Sequence, residues 1–350
     1  MRYLPIGKLV PGMALGQDVY DGEGRLLLAR HLLLTTEYIS NLELFGFPGI
    51  YIDDEFTQGI EIQQILNPQV KCRALKMIHD LFSIRPEEAK TDELEKKLQE
   101  TIEKIVENIL SNGDVMCNVL DIKNYDGYIY YHSINVCMLA SMIGVSYGLS
   151  EKQLEDLATA ALLHDVGKRF LSRELWNIDR KLTEEEEKEI RQHARMGADF
   201  LRDHFHFSST VHSGILQHHE NFDGTGYPLQ RKGEEIPLYA RIIRLVDCYD
   251  NLTSRQLGRA AYSPSDAVEF LMSESGRTID PQLLDIFLGK IAVYPVGCEV
   301  VLSDGRHAVV MQNFDHFLLR PRVKLLETGE VLDLKEDAAC RNITIEDIIF

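Results

Sequence analysis

The chain has 350 residues, with 37 Lys and Arg against 55 Asp and Glu, a formal charge of −18 at pH 7 with histidine neutral. Apolar residues at 45% and charged residues at 26% exclude the disordered and fibrous classes and leave a folded soluble chain of roughly two domains. The negative charge argues against a nucleic-acid polymer as partner, since such binding runs on Lys and Arg neutralising phosphates; an anionic small ligand would need locally concentrated positive charge, such as metal ions.

In chain order, residues 1–55 read as a small β-rich N-terminal domain. Short apolar runs at 26–28, 32–34 and 50–52 alternate with turns at Gly22 and Gly24. Pro5, Gly7, Lys8 and Pro11 stand where a signal peptide needs an apolar run. Residues 56–118 read as a helical linker, in which Leu94, Leu98, Ile102, Ile105, Val106, Ile109 and Leu110 recur at helical steps before the stop at Asn112-Gly113. That wide stripe predicts packing on its own domain or a homodimer, with the homodimer preferred.

Residues 119–290 predict a run of helices. The stretch 128–150 holds no Asp, Glu, Lys or Arg and is long enough to cross a membrane. His132, Ser133, Asn135, Gly144 and Gly148 make it a buried core helix instead, so no membrane partner is expected. Ser150 with Gln153, flanked by Leu149 and Leu154, predicts a capped helix start; Thr183 with Glu186 predicts another, running through Ile190, Ala194, Gly197 and Leu201. Residues 291–350 read as a β-rich C-terminal extension, with a hairpin around Asp304-Gly305. The fold class is therefore mainly α, with a small β-rich domain before the helices and a short β-rich segment after them. The six cysteines form no CxxC pair and have irregular gaps, which predicts a reducing, cytoplasmic location rather than a disulfide framework or a cysteine-based zinc site.

Eight of the twelve histidines lie between His132 and His219. His164 and Asp165 end the helix that begins at Glu151, behind the apolar stripe Leu154, Leu157, Ala158, Ala161 and Leu162. His193 shares a face with Ile190, Ala194, Gly197 and Leu201. His218 and His219 follow Val211 and Ile215, and Asp247 lies one turn from Ile243. Any one of these is an ordinary core histidine or acid. Five histidines with two aspartates inside a helical core are different, because buried polar groups must satisfy each other or a metal. Imidazole and carboxylate donors without cysteine suit Fe, Mn, Zn or Ni. Seven donors exceed one ion, so two ions sharing a carboxylate are expected, the arrangement suited to displacement at phosphorus with a bridging hydroxide as nucleophile. Lys168, three residues past Asp165, adds a charge for the phosphate or merely complements a helix end. The segment Asp223 to Pro228 carries Gly224 and Gly226, which permit close backbone approach, and Tyr227, a stacking or hydrogen-bonding group; alone it reads as a surface turn. Neither a phosphate-binding GxxxxGK[ST] loop nor a GxSxG nucleophile elbow is present.

His164-Asp165 with Gly167-Lys168, His193 with Gly197, the string HHENFDGTGYP from His218 to Pro228, and Asp247 together resemble the HD-GYP domains, a subgroup of the HD metal-dependent phosphohydrolases. The resemblance covers about residues 119–290. It implies that His132, within YYHSINVC, is the first metal ligand, that one ion takes His132, His164, Asp165 and Asp247, and that the other takes Asp165, His193, His218 and His219. It further implies two divalent ions, Fe or Mn, and hydrolysis of cyclic di-GMP to pGpG or on to GMP, with Asp165 and Lys168 in catalytic roles. Lys168, Gly226 and Tyr227 are the implied substrate contacts. Some members hold a third ion through a glutamate one turn before the first histidine; Tyr128 stands there, which implies a two-ion site. Where members commonly read DALTSDRPYR, this chain reads DNLTSRQLGR from Asp250 to Arg259. Gln256-Leu257 thus replace the usual Arg-Pro, and Arg255 and Arg259 become the candidates for that substrate contact. Contact with a diguanylate cyclase through the Tyr227 loop is also implied. Two other readings stay open at this level: an HD phosphohydrolase of another nucleotide, and a non-catalytic cyclic di-GMP sensor.

Overall fold

The chain is described by a computed structural model at residues 1–21, 25–54, 57, 59, 60, 62, 65–84, 91–112, 116, 128–172, 175, 180, 182–254, 261–314 and 317–349. The N-terminal part runs β1 (Arg2–Pro5), β2 (Ala14–Leu15), β3 (Val19–Tyr20), β4 (Leu26–Leu28), α1 (Thr36–Leu44) and β5 (Gly49–Asp53). The order β1-β5-β2 makes one antiparallel sheet, and β3 with β4 makes a small second one. Helix α1 adds a helical element to the expected β-rich domain. Thr35 caps it by accepting from the Tyr38 amide at 3.2 Å. The apolar run at 32–34 is not a strand; it contributes one isolated bridge, Ala14 to Leu33, and delivers Leu34 into the local core. That core (Leu4, Leu15, Val19, Leu42, Ile50 and Ile52 among others) is separate from the main one.

The main core begins with α2 (Pro68–Ser83), which Asn67 caps and Pro68 starts, and α3 (Thr91–Ser111). The apolar stripe of α3 is present as the spacing predicts: Leu98, Ile102, Ile105, Val106 and Ile109 are all buried. It packs against α2, α4 (Tyr128–Tyr147) and α5 (Glu151–Leu163) of the same chain. Two expectations change. The helices at 68–111 belong to the main core rather than acting as a spacer, and the stripe that pointed to a homodimer is used up internally.

Helix α4 is the charge-free stretch. Its segment Ile129–Tyr147 is long and apolar enough to span a bilayer, yet 78% of that window is buried inside the protein. After α5 the chain continues through a 3₁₀ turn at 166–170, α6 (Glu184–Ile190), α7 (His193–His204), α8 (Ser209–Gln217), α9 (Leu238–Thr253), α10 (Pro264–Ser273) and α11 (Pro281–Leu288), of which α5, α9 and α11 pack on α4. The capping box at Thr183 is complete: its amide donates to Glu186 Oε2 at 2.8 Å, and its hydroxyl accepts from the Glu186 amide at 3.2 Å.

The C-terminal strands β6 (Glu299–Leu302), β7 (His307–Gln312), β8 (Arg322–Leu325), β9 (Val331–Asp333) and β10 (Ile345–Ile349) form an antiparallel sheet in the order β10-β6-β7-β8-β9. The expected hairpin is β6–β7, turned at Gly305 with φ +83°. Val300, Leu302, Val310 and Val323 share the apolar cluster of the helices, so the sheet is bonded to the helical body through its core face.

Candidate metal centre

Three helix C-termini build the centre by one device. A helix leaves its last carbonyls without partners. At α5 the His164 ring donates from Nδ1 to Ala161 O at 2.7 Å; after α6 the His193 ring donates to Ile190 O at 2.6 Å; after α8 the His218 ring donates to Ile215 O at 2.6 Å. A carbonyl only accepts, so Nδ1 carries the proton in each ring and Nε2 carries the lone pair. The expected single helix from Thr183 through Leu201 is accordingly two. The His193 ring takes the Ile190 carbonyl, α6 ends there, and α7 restarts at His193.

The fourth ring, His132 on α4, donates from Nδ1 to Asp250 Oδ2 at 2.7 Å, and Asn135 Nδ2 holds the other oxygen of Asp250 at 3.0 Å. The Nε2 atoms therefore converge: 3.3 Å between His132 and His164, 3.3 Å between His193 and His218, and 3.2 Å between His193 and His219. Imidazole nitrogens that converge beside carboxylates in a buried site are the fit this donor set offers to metal ions.

Asp165 stands between two donor groups. Its Oδ1 lies 3.2 Å from His193 Nε2 and 3.9 Å from His218 Nε2. Its Oδ2 lies 3.4 Å from His164 Nε2 and 3.7 Å from His132 Nε2. Asp247 Oδ1 joins the second group at 3.1 Å from His132 and 3.8 Å from His164, and Asn251 donates to Asp247 at 2.6 Å. Two metal-capable clusters result, Asp165 with His193, His218 and His219, and Asp165 with His132 and His164. All seven expected ligands are thus brought together, six of them buried and His219 half-buried.

Close backbone approach makes this possible. Gly167 faces the His193 carbonyl and Gly197, where a Cβ would collide with backbone. The 3₁₀ turn and α7 can therefore meet without a side chain between them, which sets Asp165 against His193.

Charge and burial decide the protonation states. Burial alone would raise the pKa of Asp165, but the Lys168 ammonium and the His164 and His193 rings hold it well below the carboxylate range. Burial likewise opposes ionisation of Asp247, and His132 outweighs it, leaving this carboxyl far below its usual value. For His132 burial favours the neutral ring, yet Asp247 and Asp250 push it up to about 9. His218 and His219 are driven well below the usual value, first by burial and then by neighbouring rings.

At the mouth, Lys168 Nζ sits 2.5 Å from Asp165 Oδ2, partly exposed. The Tyr227 ring stacks on His219 at 4.8 Å and 24°, and the Arg191 guanidinium lies over the Tyr227 ring, 5.0 Å from its centroid. Gly226 is buried against the backbone of 219–221, where a Cβ would collide, which lets the loop seat Tyr227 beside His219. Glu220 holds the far side of the loop by accepting from the Leu229, Gln230 and Arg231 amides. Arg255 and Arg259 lie outside the described residues, as does Gln256. Asp250, Asn135 and Asn251 were missed from the sequence. Asp250 lies one turn past Asp247 on the buried face of α9, the one signal that could have found it.

The HD domain family profile matches residues 96–283. The chain is 33% identical over 224 residues to the cyclic di-GMP phosphodiesterase PA4108 of Pseudomonas aeruginosa, a match covering 64% of this chain and 54% of that protein. It is 35% identical over 151 residues to the cyclic di-GMP phosphodiesterase response regulator RpfG of Xanthomonas campestris, covering 43% of this chain and 40% of that protein. The chain thus spans about half the length of the curated relatives it matches. Among solved structures, Bd1817, an HDG"Y"P protein of Bdellovibrio bacteriovorus, shares the fold, with a TM-score of 0.52 at 21% identity, over 81% of this chain and 97% of that one. With the family profile spanning more than half of the chain and the whole histidine–aspartate cluster built inside that span, the chain belongs to the HD domain family.

Proposed function

We propose that this protein is a phosphodiesterase that hydrolyses cyclic di-GMP to pGpG at a centre of two divalent ions, Fe or Mn. The observation that carries the reading is Asp165, whose two carboxylate oxygens face two separate histidine groups. One ion would be held by His132, His164, Asp165 and Asp247, the other by Asp165, His193, His218 and His219. When bound, the pair supplies Lewis-acid activation of water and neutralises charge at the phosphoryl oxygens.

The chain's own residues do the rest. Lys168, held beside Asp165, faces the developing charge on the phosphoryl oxygens. Asp250 fixes the His132 ring and Asn251 fixes Asp247, so the donors need no reorganisation. Tyr227, backed by His219 and Arg191, offers a face on which a guanine stacks. Water adds to one phosphorus, the bond to the ribose 3′ oxygen breaks, that oxygen takes up the proton, and the ring opens to a linear dinucleotide with a 5′-phosphate. A cytoplasmic location accords with five free cysteines among the described residues.

The test is metal content together with hydrolysis, on protein purified without air or chelator. About two ions per chain and pGpG as product are expected. Two ions with turnover only of another nucleotide would move the substrate; two ions with binding and no turnover would make the protein a sensor of the messenger; no ion would sink the reading.

A further inference from the structure

The geometry points to Arg244 as the residue that receives the second, non-reacting phosphate of a dinucleotide, held ready for it by Asn221. This rests on the reading of the centre as a cyclic-dinucleotide phosphodiesterase. Arg244 lies on α9 one turn before Asp247, and Asn221 lies two residues past His219, so both are anchored to ligand-bearing backbone. The guanidinium donates from Nε and Nη2 to Asn221 Oδ1, at 3.1 and 3.0 Å. The Asn221 amide is itself oriented: its Nδ2 donates to Thr225 Oγ1 at 3.0 Å, and that hydroxyl donates to Asp223 Oδ1 at 2.6 Å.

The relay matters because it ends on Arg244 through a neutral oxygen. Three other cations face carboxylates directly: Lys168 faces Asp165, Arg191 faces Glu187, and Arg241, one turn earlier on α9, faces Asp280 at 2.6 Å. Among the described residues no carboxylate lies within ion-pair distance of Arg244. Its side chain is positioned, its charge is uncancelled, and three of its five donors remain for a ligand. That charge reaches His219 and Tyr227, at the edge of the centre.

A dinucleotide brings two phosphates. The centre and Lys168 meet the reacting one; in a chain of charge −18 the other needs a cation of its own. A guanidinium fork matches two phosphate oxygens in a way that an ammonium does not.

The experiment measures binding of cyclic di-GMP, pGpG and GMP to manganese-loaded full-length protein, for the unchanged chain, Arg244→Lys and Arg244→Gln, with metal content determined for each. Arg244→Gln should weaken both two-phosphate ligands about 10–100-fold and GMP less than about threefold, with Arg244→Lys in between. Equal weakening of all three ligands, loss of metal, or no change would overturn the assignment. If the unchanged protein binds pGpG and GMP but neither binds nor cleaves cyclic di-GMP, the substrate reading fails, and the pGpG to GMP ratio still decides the role of Arg244.

Discussion

On the Oδ2 side of Asp165 a second carboxylate, Asp247, joins His132 and His164, and Asp250 stands behind His132; on the Oδ1 side the donors are three imidazoles, His193, His218 and His219. The first set is fully buried and rich in negative charge. The second reaches the surface through His219, on which Tyr227 stacks. The two also differ in protons: His132 is pushed up to about 9, while His218 and His219 fall well below their usual value. An ion on the Oδ2 side must displace a proton and neutralise carboxylates, whereas one on the Oδ1 side meets rings already neutral. One aspartate thus stands between a half rich in negative charge and a half that reaches the surface.

The comparison breaks most completely at the bridge. Asp165→Asn removes the shared anion from both halves, so both ions should be lost and kcat should fall by at least ~10³-fold. Metal analysis beside a rate assay checks this, with His193→Ala as the contrast that should lose the Oδ1-side ion alone.

A smaller effect separates the halves. Asp250→Ala leaves every ligand in place but frees the His132 ring, and affinity on the Oδ2 side should drop ~10–100-fold while the Oδ1 side keeps its ion. Stepwise titration of metal-free protein with manganese would resolve the two affinities; equal weakening of both would count against the division.

The smallest effect is on pH. His132 rises from its ordinary 6.5 to about 9 in the folded, metal-free chain. Its folded value is the higher one, so its contribution to stability is fully present below 6.5 and is lost as pH climbs through about 9. Chelated protein should therefore melt progressively lower across that window, and the metal-loaded protein should not follow it. Manganese affinity on the Oδ2 side should rise over the same window, by roughly tenfold per unit at most for one displaced proton.

Six of the seven ligands were legible as polar residues on or at the end of apolar helix faces, whereas His132, inside the charge-free stretch, was assigned through the family resemblance. Asn135 and Asn251 act through another residue and leave no such mark, and Asp250 shows only as an acid one turn past Asp247; the three-dimensional partner gives them a role. The break between α6 and α7 was also hidden, since no Gly or Pro interrupts Arg191-Gln192 and the cause is the His193 ring capturing the Ile190 carbonyl. Helix α1 was lost to the run at 32–34, whose Leu34 fills a core position from a non-strand backbone. The stripe of α3 was read correctly as apolar, but a stripe does not say whether its cover comes from the same chain or a second copy.

The most direct test of the carboxylate bridge is electron paramagnetic resonance of the manganese-loaded protein. A spin-coupled pair at two ions per chain, lost together with the bound manganese in Asp165→Asn, is the result expected of one aspartate shared by two sites. Uncoupled single-ion spectra at every loading of the unchanged chain would contradict it.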